Sequence, residues 1–313
     1  MRWSERAGWK RSSGSYSYIP AEYRRRGTGG RWFWFGLKMT AMTLAIVLVG
    51  EHFAGGHSIA PQVATAAAPP PQVLTPAATE QTPTPKDKSA ELNSLLSSWA
   101  AQHKSQQWGI SVRQISGGDA QASYQSDQRF YPASIYKLLI LETLFKKTPY
   151  SAWGKSLSNG MTITKCVDRM IRYSDNNCGV ALGIYAGWTP ATNQLKSLGL
   201  TNTALNTPDN QLRTSAGDVA KYLEYFYADT AYPDAKQFTL NVMSQQLYRS
   251  GIPAGSTGCT VYDKIGDLNG YKHDAGVVVC PDTTYIMAVM SKGGSYAQIA
   301  DVAAQAHDML VSN

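Results

Sequence analysis

Ser134 and Lys137 stand three residues apart in the string FYPASIYKLLILETLF, so on a helix they share a face and the amine can reach the hydroxyl. A serine hydroxyl is a weak nucleophile near neutral pH. It needs a base beside it, and a lysine kept neutral by desolvation or by a neighbouring cation can serve. Of the serines in this chain only Ser134 has lysine at that spacing, and the apolar run LLILETLF would bury their helix. One such pair is expected by chance in a serine-rich chain, so the reading depends on what accompanies it.

Two further motifs follow in order: Ser174-Asp175-Asn176 in YSDNNCGVAL, and Lys264-Ile265-Gly266 in VYDKIGDLNGYKHDAGVVV. Together the three resemble the signature of the penicillin-recognising serine enzymes, namely class A β-lactamases, D-alanyl-D-alanine peptidases and penicillin-binding proteins. The resemblance covers roughly the last two thirds of the chain. It implies that Ser134 forms an acyl-enzyme, that Lys137 relays the proton, and that Ser174 carries it to the leaving nitrogen. It implies an oxyanion hole from the N–H groups of Ser134 and Asp267, with Gly266 beside them. Asn176 would bind the substrate amide, and Lys264 the substrate carboxylate, while disfavouring protonation of Lys137. Asp175 would hold the loop. No cofactor is implied.

The sequence departs from that family twice. Ile265 stands where the family usually has a Thr or Ser whose hydroxyl binds a carboxylate. The glutamate by which class A β-lactamases activate the deacylating water has no counterpart either, because Asp209 is the only acid in LGLTNTALNTPDNQLRTS. Either Asn202 replaces that glutamate or the loop is shortened after Asn206. Neither alignment supplies a base.

The elements that must position these residues begin near Ser89. AELNSLLSSWAAQH has helical spacing, GISVRQIS alternates like a strand before Gly117-Gly118-Asp119, and QASYQSD is a second strand leading through Tyr131-Pro132-Ala133 to Ser134. Helices follow in ITKCVDRMIRYS, NNCGVALGIYAG, TPATNQLKSLG and SAGDVAKYLEYFYA, the last capped by Ser215, and one more runs from Pro233 to Leu247. Strands around Lys264, Val277 and Ile286 precede the closing helix SYAQIADVAAQAHDMLV. The expected class is therefore α+β: an antiparallel sheet built from both ends of the domain and flanked by helices, plus an all-helical subdomain, with the cleft between sheet and helices.

Four cysteines allow three pairings. If Asn269-Gly270 is a two-residue turn, residues whose numbers sum to 539 oppose one another, which sets Cys259 against Cys280 and leaves Cys166 with Cys178 across the Ser174 loop. Metal binding is disfavoured, because the five histidines are scattered and no Cys-x-x-Cys occurs.

The net charge of +7 sits at one end: residues 1–50 hold 9 Lys+Arg against 2 Asp+Glu, and the rest of the chain balances. The basic balance thus implies no nucleic-acid partner. Residues 1–31 read as a basic cytoplasmic segment, 32–50 as a transmembrane anchor, 51–88 as an Ala/Pro/Thr-rich linker and 89–313 as the catalytic domain. The stretch from Trp32 to Gly50 would span about 28 Å as a helix, and Lys38 interrupts it. A cleaved signal peptide is the rival reading, but its small-residue cleavage site is missing before the run Ala64 to Ala68. The expected protein is then anchored in the cell membrane by a single helix, with its catalytic domain extracytoplasmic. Its expected activity is acyl-serine hydrolysis of cell-wall peptides or β-lactams. The alternatives are a β-lactamase proper and a non-catalytic penicillin-binding or sensor domain. A Ser-His-Asp esterase is disfavoured by the absence of Gly-x-Ser-x-Gly.

Overall fold

Strands rich in Val, Ile and Met bury both faces of a sheet only where layers cover each side, and here two layers do so. The structure, a computed structural model, describes residues 87–207 and 211–312, together with the backbone of a hairpin, β1 (Trp9–Ser12) and β2 (Ser15–Tyr18). The chain divides into two units, Met1–Pro76 and Ala77–Asn313, and the second holds Ser134, Lys137, Ser174 and Lys264. The expected membrane segment, residues 32–50, and most of the linker lie outside the described residues. Among those described, no helix is long and apolar enough to cross a membrane.

In the second unit, α1 (Ser89–Gln102) leads into β3 (Gln107–Ser116) and β4 (Gln121–Tyr124). The helical layer follows as α2 (Tyr136–Leu139), α3 (Leu141–Lys147), α4 (Ile163–Arg172), α5 (Asn176–Ala186), α6 (Trp188–Ser197), α7 (Ala216–Ala228), α8 (Pro233–Ser244) and the single turn α9 (Ile252–Gly255). Then come β5 (Thr260–Leu268), β6 (Tyr271–Val279), β7 (Thr284–Lys292) and α10 (Tyr296–Val311). The sheet order is β4-β3-β7-β6-β5 with every pairing antiparallel, so the two ends of the domain meet where β3 joins β7. This is the expected α+β class.

Period-2 alternation sorts the strands between two cores. Val278, Met287 and Val289 face Leu92, Leu96 and Trp99 of α1 and Ile299, Val302 and Ala306 of α10. Val277, Ile286, Ala288 and Met290 face the helical layer, with Leu138, Val167, Leu182 and Leu223. Full burial of one such side chain stabilises the fold by about 1.5–3 kcal/mol. Helix ends are fixed by side-chain caps: Thr162, Asp175 and Ser215 accept from backbone N–H groups, and Ser295 with Gln298 forms a reciprocal box.

Two boundaries differ from expectation. The helix starting at Pro233 ends at Ser244 instead of Leu247, because Gln246 Nε2 and Leu247 N–H turn to the carbonyls of Ile171 and Arg172 at the end of α4. The helix of Ser134 opens with a 3-10 turn, Ala133–Ile135, before α2.

The β5–β6 register is the one in which numbers sum to 539. Asn269 and Gly270 both have positive φ, as a type I′ turn requires. The Cys259–Cys280 and Cys166–Cys178 disulfides are both present, with Cα atoms 4.5 and 4.8 Å apart.

Candidate active site

The 3-10 turn matters because at three residues per turn side chains i and i+3 eclipse, placing Lys137 directly over Ser134. Lys137 Nζ lies 3.0 Å from Ser134 Oγ. It also donates to Ser174 O at 2.6 Å and Asn176 Oδ1 at 2.7 Å, and lies 3.4 Å from Ser174 Oγ. On the far side of Ser174, Lys264 Nζ donates to its Oγ at 3.0 Å and to Ile265 O at 2.8 Å. The structure therefore brings Ser134, Lys137, Ser174, Asn176 and Lys264 into one chain of contacts.

These partners fit either protonation state of Lys137. The Ser174 and Asn176 oxygens facing Lys137 are carbonyls, which only accept. As an ammonium Lys137 would donate to both and to the Ser134 hydroxyl; as a neutral amine it meets the two carbonyls with its two N–H groups and can turn its lone pair to a hydroxyl, Ser134 Oγ at 3.0 Å or Ser174 Oγ at 3.4 Å. Burial favours that form: it lowers Lys137 to about 7, opposed by the charge of Asp175. Lys264 is also lowered to about 7, first by burial and then by Lys137, while Asp263 and Asp274 oppose the shift.

Local structure holds this geometry under strain. Ala133 and Ser174 are non-glycine residues in the left-handed region, φ +46° and +55°, each costing roughly 1–3 kcal/mol. The Ser174 loop is pinned on both sides. Asp175 caps α5 through Cys178 N–H at 2.9 Å and binds Arg169 at 2.8 and 3.1 Å, and the disulfide joins α4 to α5. Burial would raise the Asp175 carboxyl, but Cys178 N–H, Arg169 and Lys137 together hold it below the usual range.

Register places the two N–H groups expected to form an oxyanion hole. Leu268 and Tyr271 close the two-residue turn, so they form a hydrogen-bonded pair, and the residues of β5 facing β6 alternate back through Gly266 and Lys264. The Asp267 N–H therefore points from the free edge of β5. Ser134 N–H lies in the opening turn of its helix, where N–H groups have no intrahelical acceptor. Gly266 lets the two segments approach, since a Cβ there would lie 3.1 Å from Pro132 O and 3.0 Å from His273 Cδ2. The Asp267 carboxylate turns aside to Lys272 at 2.5 Å.

Ile265 is buried, and strand alternation sets it on the α10 face of the sheet, opposite Lys264 and outside both apolar cores. Asn202 accepts from Arg129 Nε and donates to Asp127 Oδ1, both at 3.1 Å, so both ends of its amide are occupied by these surface partners. Asp209 lies outside the described residues. Cys259, Cys280 and His307 bring ligand atoms within 4.8 Å of one another, but the two sulfurs are bonded together. Sequence reasoning passed over Gly179, where a Cβ would come 2.7 Å from both Lys137 Cε and Tyr136 Oη. A glycine three residues after Asn176, inside a helix, was its only signal.

This fold and this constellation define a serine hydrolase of the β-lactamase type. The chain belongs to the Beta-lactamase enzyme family, whose model matches residues 146–310, a span that holds Ser174 and Lys264 and begins after Lys137. Among relatives, a beta-lactamase of Mycobacterium tuberculosis is 29% identical over 223 residues, 58% of this chain and 72% of that protein. One from Bacillus amyloliquefaciens is 26% identical over 216 residues, 56% and 69% of the two. A point mutant of PBP-A, solved as its acyl-enzyme complex with penicillin G, superposes with TM-score 0.62 at 21% identity, covering 72% of this chain and 98% of that one. The TLA-3 extended-spectrum beta-lactamase gives 0.64 at 16% identity, covering 72% and 100%.

Proposed function

We propose that Ser134 is acylated by β-lactams and by the D-alanyl cell-wall peptides they resemble, and that the acyl-enzyme hydrolyses slowly. The observation that carries this reading is the approach of the buried Lys137 Nζ to 3.0 Å from Ser134 Oγ, with two carbonyls in reach of its N–H groups. Ser134 Oγ attacks the carbonyl carbon as its proton passes to Lys137 Nζ. Charge on the carbonyl oxygen is met by the N–H groups of Ser134 and Asp267. The proton moves through Ser174 Oγ to the leaving nitrogen as the C–N bond breaks, with Lys264 holding the opposite charge of the substrate carboxylate.

Deacylation needs a second base, placed to activate water, and the described residues from 198 to 215 contain no acid. Loss of such a base slows a step by about 10²- to 10⁴-fold, which stretches fast turnover to minutes or hours. The relatives' name supports a second reading, rapid β-lactam hydrolysis. Mass spectrometry of the full chain, followed over time with labelled penicillin, separates the two. A persistent adduct on Ser134, absent from Ser134→Ala, is expected. Unchanged labelling of Ser134→Ala refutes the assignment, and nitrocefin turnover above about 10 per second, a typical enzyme rate, refutes slow deacylation.

The same proposal places residues 32–50 as a single membrane anchor, with 1–31 cytoplasmic and the catalytic domain extracytoplasmic. Arg24, Arg25, Arg26 and Arg31 flank only one side of the apolar stretch, and two disulfides suit an oxidising compartment. External protease should cut the linker in cells stripped of their wall. A linker that stays intact until the membrane is opened contradicts this topology.

A further inference from the structure

The segment joining α8 to α9 is pinned from two directions. Toward the helical layer, Gln246 Nε2 donates to Ile171 O at 2.8 Å and Leu247 N–H to Arg172 O at 3.1 Å. Toward the sheet, Arg249 Nη1 donates to Asp263 Oδ1 at 2.5 Å and to Val261 O at 3.1 Å. Yet the two side chains between these anchors face outward: Leu247 is 59% and Tyr248 50% exposed. Tyr173, bonded in sequence to Ser174 and next to Arg172, is 44% exposed. Among the described residues, five large apolar side chains stand exposed, and three of them are these. Scattered single exposures carry no information, whereas a contiguous group beside a cleft does.

Both ends of the row abut the reaction centre. At one end, Tyr173 precedes the serine whose Oγ lies 3.0 Å from Lys264 Nζ. At the other, Arg249, next to Tyr248, donates to Val261 O and to Asp263 Oδ1 on β5, and Asp263 directly precedes Lys264. The row thus follows the wall that carries Ser174 and Lys264, on the side where the leaving nitrogen receives its proton. Ile265 offers no hydroxyl on this strand.

We propose that Tyr173, Leu247 and Tyr248 form a shelf for the leaving-group half of the substrate, and that the enzyme prefers leaving groups bearing an aryl or similarly large apolar substituent. This rests on the acyl-serine reading above. The continuity of the row with the Ser174 loop at one end and with the strand of Lys264 at the other assigns it to substrate. A shelf that covers roughly 60 Å² of apolar surface at about 25 cal/mol per Å² is worth about tenfold in rate constant.

The test compares two cephalosporins that share one acylamino side chain and differ at the ring carbon beyond the leaving nitrogen, one carrying methyl and the other a styryl group. Second-order acylation of the full chain should be roughly tenfold faster for the styryl compound. In the Leu247→Ser/Tyr248→Ser double variant that ratio should fall toward one, chiefly by loss on the styryl compound, and Tyr173→Ser should lower it in part. These side chains are exposed, so thermal melts should match the parent. An unchanged ratio in the variants overturns the shelf, as does a parent enzyme with no styryl preference. Loss of self-association in the variants at an unchanged ratio would give the row to a second copy of the chain, and would overturn the shelf too. Failure of both compounds to label Ser134 is a different result, one that removes the acyl-serine reading itself.

Discussion

The protonation of Lys137 can be read directly from the pH dependence of acylation. An ordinary lysine, at about 10.4, is neutral in well under about 0.1% of molecules at pH 7, whereas one lowered to about 7 is neutral in about half. Burial in the cleft therefore supplies about three orders of magnitude in competent base. On the acid side, each unit below about pH 7 should cut the second-order rate of acylation tenfold. On the alkaline side, Lys264 also loses its proton around pH 7, and with it the charge that meets the substrate carboxylate. The productive form has Lys137 neutral and Lys264 charged, so the profile should be a narrow bell. Lys264→Gln should remove the alkaline limb. Because it also removes a cation beside Lys137, the acid limb should move to higher pH. The assay is incorporation of a fluorescent penicillin at limiting concentration, from about pH 5 to about pH 9. A flat profile, or an acid limb near the ordinary lysine value, would show that some other group takes the Ser134 proton.

Three other changes follow from named contacts. Gly179→Ala pushes a methyl into Lys137 Cε and Tyr136 Oη, so acylation should fall by roughly tenfold or more while overpacking costs about 1–3 kcal/mol, read together from labelling rates and denaturant melts. Replacing Cys166 and Cys178 with serine opens a link of sequence separation 12, and stability should drop by about 2–4 kcal/mol, whereas peptide mapping that found crossed pairs would remove the basis for this. Burial raises Asp274 to about 7 from 3.8, so the folded state binds the extra proton and the parent loses stability as pH rises across that window. Asp274→Asn cannot ionise there, so its melts should lack up to about 1.4 kcal/mol of decline per pH unit, and parallel curves for parent and variant would refute the assignment.

The candidate site residues were legible because motif spacing brings them together before any tertiary structure is known. Ser134 and Lys137 need one helical turn, and Lys264, Gly266 and Asp267 need one strand. The 539 register came from Asn269-Gly270, since only a primed turn suits that dipeptide between strands. The left-handed backbone at Ala133 and Ser174 was not legible: neither residue type calls for positive φ, and the conformation is held by neighbours distant in sequence. Exposure of Leu247 and Tyr248 was equally hidden. Helical periodicity continues past Ser244, and only the carbonyls at the end of α4 stop it. The Asp263 and Asp274 cluster lies between these cases. The register sets Asp263 opposite Gly276 and Asp274 opposite Ile265, so the two acids are diagonal neighbours on one face, but nothing in the sequence said that α9 and α10 would cover them.

That cluster also bears on which lysine gives up its proton. Both amines reach Ser174, both are buried, and like charges so close disfavour each other. Partners break the symmetry. Lys137 faces two carbonyls and a hydroxyl, with Asp175 as its opposing charge, and that carboxylate is already bound to Arg169 and capping α5. Lys264 has Asp263 and Asp274 both raising its affinity for a proton, and only Asp263 is paired with Arg249. The remaining proton therefore belongs on Lys264. Each buried acid keeps one oxygen without a partner, Asp263 Oδ2 and Asp274 Oδ1, and the charge of Asp274 raises Asp263 further after burial. Two such carboxyls are disfavoured as a pair of anions, so the pair holds one proton near neutrality and keeps one negative charge beside Arg249 and Lys264. The fold thereby keeps a base under Ser134 and a cation behind Ser174, using one strand pair whose register is set by a turn of two residues.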